Sequence, residues 1–164
     1  MPTPEFILRL REKVGNEPLW LSGATAVVVR PGEDGDEVLL VQRSDDNSWT
    51  PVSGIVDPGE HPHEAALREI AEEACVVAEV ERLVWLNVTE LITYDNGDQT
   101  RYIDHVFRCR YVGGEPYPAD GEALQAGFFP VHALPAMTTR QQACVQVALA
   151  NHPETRLGDL SSGE

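Results

Sequence analysis

The spacing of apolar residues along this chain changes period several times, and each change marks an element. Phe6, Ile7, Leu10 and Val14 recur at helical intervals with Arg9, Arg11, Glu12 and Lys13 between them, which predicts a short amphipathic helix over 4–14, stopped by Gly15 and Pro18. Residues 23–30 and 38–41 are near-continuous β-branched or apolar runs around the polar stretch 31–37, the pattern of a hairpin of buried strands. A short strand is expected at 51–56. Strong helix formers fill 62–74, which opens on a proline at an allowed first-turn position, and 76–88 turns β-branched and aromatic again. Asn96-Gly97 between apolar runs predicts a tight hairpin turn, with a long strand over 100–112 after it. A loop over 113–121, a closing strand at 128–131 and a final helix over 138–150, with Val145 and Leu149 on one side, complete the pattern. Strands and helices interleave without strict β-α-β alternation, so the expected class is α/β, a mixed β-sheet between helices. One domain is expected over 1–151, and 152–164 reads as a polar, mobile tail.

Composition narrows the function classes. A chain of 164 residues can bury roughly 70% of its unfolded surface, enough for one core. With 42% hydrophobic residues it is no disordered acidic tail, and 27 Asp and Glu against 12 Lys and Arg, a formal charge of −15, argue against nucleic acid or an anionic membrane as partner. Cys75, Cys109 and Cys144 are odd in number and lack a C-x-x-C pair, which fits reduced thiols in a cytoplasmic protein. The N-terminal stretch lacks the basic start of a signal peptide, and no apolar run reaches membrane-spanning length. His61 and His63, two apart on a chain entering a helix, are read as surface residues that do not face each other.

Where the acids lie changes what the charge means. Asp57, Glu60, Glu64, Glu69, Glu72 and Glu73 fall within 17 residues just after Gly54. On a helix at about 100° per residue, Glu72 and Glu73 lie about 60° and 40° to either side of Glu69, so the three share one face. Leu67, Ile70, Ala71 and Ala74 form an apolar stripe on the other side, suited to packing on a sheet, and Glu64 is placed to pair with Arg68 at i,i+4. Three carboxylates on one arc repel one another. Hard divalent cations relieve that cost and leave positions open for water and substrate phosphates, with Mg²⁺ the first choice. A solvated acidic face is the alternative.

The spacing Gly54-x₅-Glu60-x₇-Arg68-Glu69-Ile70-x-Glu72-Glu73-x-x-Val76 resembles the signature of the Nudix hydrolase family, the MutT-like enzymes. Leu39 to Arg43, Trp49, Phe128-Phe129-Pro130 and Leu134-Pro135 resemble the strands and closing turn around it. The resemblance implies an α/β/α sandwich and Mg²⁺-dependent hydrolysis of the pyrophosphate bond in a nucleoside diphosphate derivative by metal-activated water, with Mn²⁺ able to replace Mg²⁺. Carried over, Glu69, Glu72, Glu73 and the Gly54 carbonyl are the metal ligands. Arg68 orients a box glutamate, and Glu60 pairs with it or supports a second ion. Glu69, Asp120 and Glu122 stay open as the general base. Arg43, Trp49, Tyr94 and Phe128 are candidates to hold a nucleotide-type substrate, with Tyr102 a further aromatic that either stacks a base or fills the core. The family's second glycine is Cys75 here, which implies a shifted helix end or lower stability. The proline marking the family's ADP-ribose group is absent, with Glu90 and Leu91 in its place. A homodimer is compatible with these features. The alternative function is a non-catalytic Nudix-like module that senses a nucleotide, which damage to the carboxylates would have favoured.

Overall fold

The computed structural model describes residues 3–160. Its elements run α1 (Glu5–Val14), β1 (Leu19–Gly32), β2 (Gly35–Arg43), β3 (Trp49–Thr50), β4 (Val52–Ile55), α2 (Pro62–Ala74), β5 (Val77–Val88), β6 (Ile92–Thr93), β7 (Gln99–Gly113), β8 (Ala123–Pro130), α3 (Thr139–Ala150) and β9 (Arg156–Leu157). The strands form one sheet ordered β3-β2-β1-β7-β5-β9, with β4 beside β1, β6 beside β7 and β8 beside β2. It is mixed: β1 runs parallel to β7 and β5 to β9, whereas β1–β2, β1–β4 and β5–β7 are antiparallel. The α/β class expected from the sequence is the one observed.

Period-2 alternation divides the core into two layers. Ala24, Ala26, Val28, Leu39 and Val41 meet the apolar stripe of α2 at Ala66, Ile70 and Ala74. Val27, Val29, Val38 and Leu40 face the other way, onto Cys144, Val145 and Ala148 of α3. A strand covered on both faces must be apolar at successive positions, which is why β1 read as a continuous run. The hairpin joining it to β2 is tighter than its long polar stretch suggested: Gly32 pairs with Gly35 around two residues, and Gly35 has φ 115°.

One edge of β1 lies along β7, while the other changes partner. Gly23–Ala26 pair with β4, and Val29–Gly32 pair with β2. Beyond that exchange β2 turns to β8 and β3, and a cleft of about 700 Å³ opens, lined by Gly23 to Thr25 of β1, Arg43 of β2 and Ser53 and Gly54 of β4. Helix α1 closes one side of it with Ile7 and Arg11. Arg11 is spent on architecture, donating to the carbonyls of Gly15, Glu17 and Gln99 at 3.0, 2.7 and 2.7 Å.

Two expectations are corrected. The segment beyond Asn151 is docked as far as it is described: Arg156 and Leu157 pair with Trp85 and Leu86, the Trp85 indole donates to the Gly158 carbonyl at 2.7 Å, and Leu160 packs on the α3 layer. The indole needs an acceptor, and the last residues supply it. Residues 161–164 of the expected tail lie outside the described residues. The His61 and His63 rings, though exposed, stack with centroids 5.7 Å apart, because His61 is the extended residue that caps α2 and its side chain turns back over the first helical turn.

Cys75 holds the family's glycine conformation without the glycine. Its φ and ψ are 54° and 26°, and its N–H donates to the Ala71 carbonyl at 3.2 Å. The helix end is therefore unshifted, and the cost appears as strain in the left-handed region. Cys75→Gly is expected to stabilise the chain by up to about 1 kcal/mol, a rise of about 2–4 °C in Tm measured by thermal denaturation.

Candidate active site

Helix α2 begins with a proline at its first position, and the Glu64 carboxylate accepts from the His61 backbone N–H at 3.3 Å. Four residues further along, Arg68 organises the site. Its Nε and Nη2 donate to the two oxygens of Glu60 at 2.9 and 3.0 Å, and Nη2 also reaches the Ile55 carbonyl at 3.1 Å. Its Nη1 donates to Glu69 Oε1 at 2.7 Å and Glu72 Oε2 at 3.2 Å. The bidentate fork fixes the loop between Gly54 and Glu60 against the helix. The i,i+4 ion pair of Arg68 is with Glu72. The Glu60 N-terminal anchor is completed by the Asp57 N–H at 3.1 Å.

Glu69 is 2% exposed, and Arg68 occupies only one of its oxygens. Oε2 is buried with no hydrogen-bond partner among the described residues. Gly54 makes the space for the carboxylate: a Cβ there would fall 2.1 Å from Glu69 Oε1, the oxygen that Arg68 holds. A buried carboxylate with one orphaned oxygen fits a cation and is costly without one. Burial pushes the Glu69 carboxyl up to about 7, with Arg68 pulling the other way. One turn on, burial, then Glu69 and Asp120, push Glu73 up to about 8.

Oxygens of Glu73, Asp120 and Glu122 lie within 4.8 Å of one another, the span a single ion bridges. The loop over 113–122 reaches α2 because the Tyr117 N–H donates to the Ala74 carbonyl at 3.0 Å and Gly114 lies against the Cys75 carbonyl, where a Cβ would come to 2.5 Å. At its far end the Glu122 carbonyl accepts from the Ser44 N–H at 3.0 Å. The site thus unites Gly54, Glu69 and Glu73 with Asp120 and Glu122. Glu72 stands apart, exposed and turned to Arg68, and does not line the cleft.

The four substrate candidates divide in two. Arg43 and Tyr94 line the cleft, with Asp45 holding the Arg43 guanidinium bidentately at 2.9 and 2.5 Å and the Tyr94 and Tyr102 hydroxyls 3.0 Å apart. Trp49 and Phe128 are not among its lining residues. Trp49 packs edge-on against Phe129 in the α3 layer, ring centroids 4.7 Å apart, and Phe128 lies under the Arg30 guanidinium in the α2 layer. Both rings are drawn into the core by strand alternation, the role that the core alternative gave them.

Sequence reasoning missed one group lining the same cleft. Asp104 is 5% exposed, accepts from Thr25 Oγ1 at 3.0 and 3.1 Å, and is bound by Arg140 Nη2 at 2.5 Å. Burial pushes its carboxyl up, against the pull of Arg140 and Thr25.

A carboxylate-bearing helix packed on one face of a mixed sheet, a second helix on the other and a glycine-cradled glutamate lining a cleft define an α/β/α sandwich. The NUDIX domain model matches residues 21–146, and the chain belongs to that family. It is 37% identical over 106 residues to the 8-oxo-dGDP phosphatase NUDT18 of Mus musculus, covering 61% of this chain and 30% of that protein. It is 30% identical over 87 residues to the dihydroneopterin triphosphate diphosphatase of Escherichia coli strain K12, covering 52% of this chain and 55% of that protein. The crystal structure of the MutT NUDIX hydrolase from Burkholderia pseudomallei superposes with a TM-score of 0.59 at 26% identity, over 78% of this chain and 97% of that one. The chain thus spans about a third of the mouse relative and about half of the bacterial one. Among the described residues no helix is long and apolar enough to cross a membrane.

Proposed function

We propose that this chain is an Mg²⁺-dependent pyrophosphohydrolase that cleaves the phosphoanhydride of a nucleotide derivative in the cytoplasm. The observation that carries the reading is the unpartnered Oε2 of Glu69, a buried carboxylate that lines the cleft and has Gly54 against its other oxygen. Glu69, Glu73 and the Gly54 carbonyl would hold the ion, with Asp120 and Glu122 completing its oxygen set. When bound, Mg²⁺ would screen the carboxylates and lower the pKa of water, so that losing a proton to a nearby base leaves hydroxide as the nucleophile.

The chain's own residues do the rest. Arg68 fixes Glu69 against the Gly54 loop, so the carboxylate does not reorganise during the reaction. Arg43 lines the cleft with Asp45 holding its Nε and Nη2, and its positive charge there favours a substrate phosphate. Glu69, which titrates near neutrality, and the two loop acids are the groups able to accept the proton of the attacking water. The names of the relatives support the substrate class, since 8-oxo-dGDP and dihydroneopterin triphosphate are both phosphoanhydrides carrying a bicyclic nitrogen ring. Three unpaired thiols fit the reducing compartment in which such compounds occur.

The deciding experiment is a product-release assay with Mg²⁺ over nucleoside triphosphates, oxidised nucleotides, nucleotide sugars and dinucleoside polyphosphates. Metal-dependent release from at least one class is expected. Tight binding of a nucleotide by calorimetry with no turnover of any class overturns the enzyme in favour of a sensor.

A further inference from the structure

Two arginines of the site grip carboxylates in a bidentate fork, and the two grips differ in how open they are to water. The Arg68 fork lies on Glu60, with side chains 25% and 17% exposed, and fastens the Gly54 loop to α2. The Arg43 fork lies on Asp45, with side chains 45% and 60% exposed: Nε donates to Oδ1 at 2.9 Å and Nη2 to Oδ2 at 2.5 Å. An ion pair so exposed adds little to stability, so exchanging it for another anion costs little.

The loop around Asp45 has its own supports. The Arg43 N–H donates to the Ser48 carbonyl at 2.9 Å, and the N–H of Asn47, a residue at φ 60°, donates to the Arg43 carbonyl at 3.1 Å. Asp46 Oδ1 accepts from the Ser48 N–H at 2.9 Å, and Gln42 Nε2 donates to the Asn47 carbonyl at 3.1 Å. None of these bonds uses the Asp45 carboxylate, so a side-chain rotation takes it off Arg43 and leaves the loop folded.

What the carboxylate does fill is an edge that suits a phosphate. A guanidinium takes carboxylate and phosphate with the same parallel N–H donors, and Arg43, Ser44 and Asp45 all line the cleft. The Ser44 N–H donates to the Glu122 carbonyl at 3.0 Å, which sets this strand end beside the loop that carries the acids. We propose that Asp45 is an internal counter-anion, which occupies the Nε–Nη2 edge of Arg43 in the empty cleft and is displaced by a phosphate of the substrate. The inference rests on the pyrophosphohydrolase reading and adds a control on its substrate site. Any phosphate that uses this edge binds more weakly in proportion to the fraction of chains in which the edge is free. The factor is the same for substrate and for phosphate products, so Asp45 lowers affinity and speeds product release. If Asp45 instead steadied Arg43 for a phosphate at its other edge, removing the carboxylate would weaken binding.

The sign of the effect is read by titrating inorganic pyrophosphate and orthophosphate in EDTA buffer, followed by NMR of the backbone amides and the Arg43 Nε–H. Asp45→Asn is expected to bind both anions about two- to fivefold tighter than the wild type, by the same factor for each. Asp46→Asn removes the same charge one residue on and is expected to stay within about 1.5-fold of the wild type, as is Asp45→Asn in an Arg43→Gln background relative to Arg43→Gln alone. At saturation with pyrophosphate, the wild-type Arg43 Nε–H signal, identified by its loss in Arg43→Gln, is expected to coincide with that of saturated Asp45→Asn. With Mg²⁺ and the best substrate, Asp45→Asn is expected to lower KM and the product-inhibition constant together. The proposal is overturned by weaker or unchanged anion binding in Asp45→Asn, by an equal gain in Asp46→Asn, by a gain that survives Arg43→Gln, or by an Nε–H signal that pyrophosphate does not move. Tighter anion binding by Asp45→Asn in a protein that hydrolyses nothing upholds the exchange at Arg43 while overturning the hydrolase.

Discussion

Glu73→Gln is expected to cut Mg²⁺-dependent turnover by about 100-fold or more while raising the melting temperature of the metal-free protein. The two effects have one cause. Glu73 is placed among Glu69, Asp120 and Glu122, a grouping that burial makes costly in the absence of a cation. In the folded chain it titrates near 8, against 4.5 when free. Because the folded pKa is the higher, the folded chain binds the extra proton and loses stability as pH rises from about 4.5 through 8. Gln has no such ionisation, so its advantage over the wild type is small at pH 4.5 and full above pH 8. Circular dichroism melts at pH 5 and pH 8.5, with steady-state kinetics on the best substrate, measure both effects. Turnover at the wild-type level in a folded variant would remove Glu73 from the metal site.

The carboxylates were legible because their helix is local. Residues 62–74 carry propensity, period and N-terminal proline in one window, and α2 spans those residues in the structure. The Asn-Gly turn was equally local, its Tyr94 N–H donating to the Asp98 carbonyl at 2.9 Å. What escaped depends on the partner across the sheet. Asp104 and Arg140 are 36 residues apart and unremarkable singly, and only the stacking of α3 on β7 joins them. The same holds for Arg156 and Leu157, too short a run to signal a strand, which pair only because β5 presents a free edge. Trp49 and Phe128 show the limit from the other side. Type and neighbourhood suggested a ligand, but alternation decides the face, and Leu39 and Phe128 pair on the α2 side while Val38 and Phe129 pair on the other. Asp120 and Glu122 were visible as an acidic loop; that they reach Glu73 depends on Gly114 and Tyr117 folding back over the end of α2.

Millimolar Mg²⁺ is expected to raise Tm strongly at pH 8 and little at pH 5.5. At pH 8 Glu69, which titrates near 7, is largely ionised and Glu73 about half so, and the ion replaces repulsion with coordination. At pH 5.5 both carboxyls are protonated in the folded chain, and an ion must first displace two protons, which weakens it. At a concentration about 100 times its dissociation constant, a ligand specific to the folded state adds about 2.7 kcal/mol, and for a chain of this size each kcal/mol moves Tm by about 2–4 °C. A shift of about 5–10 °C at pH 8 is therefore expected, against less than about 2 °C at pH 5.5, with EDTA reversing both. Glu73→Gln is expected to lose most of the pH 8 shift, because the ligand and the repulsion vanish together. Equal Mg²⁺ shifts at the two pH values in the wild type would separate the ion from these carboxylates and place its binding elsewhere on the acidic surface.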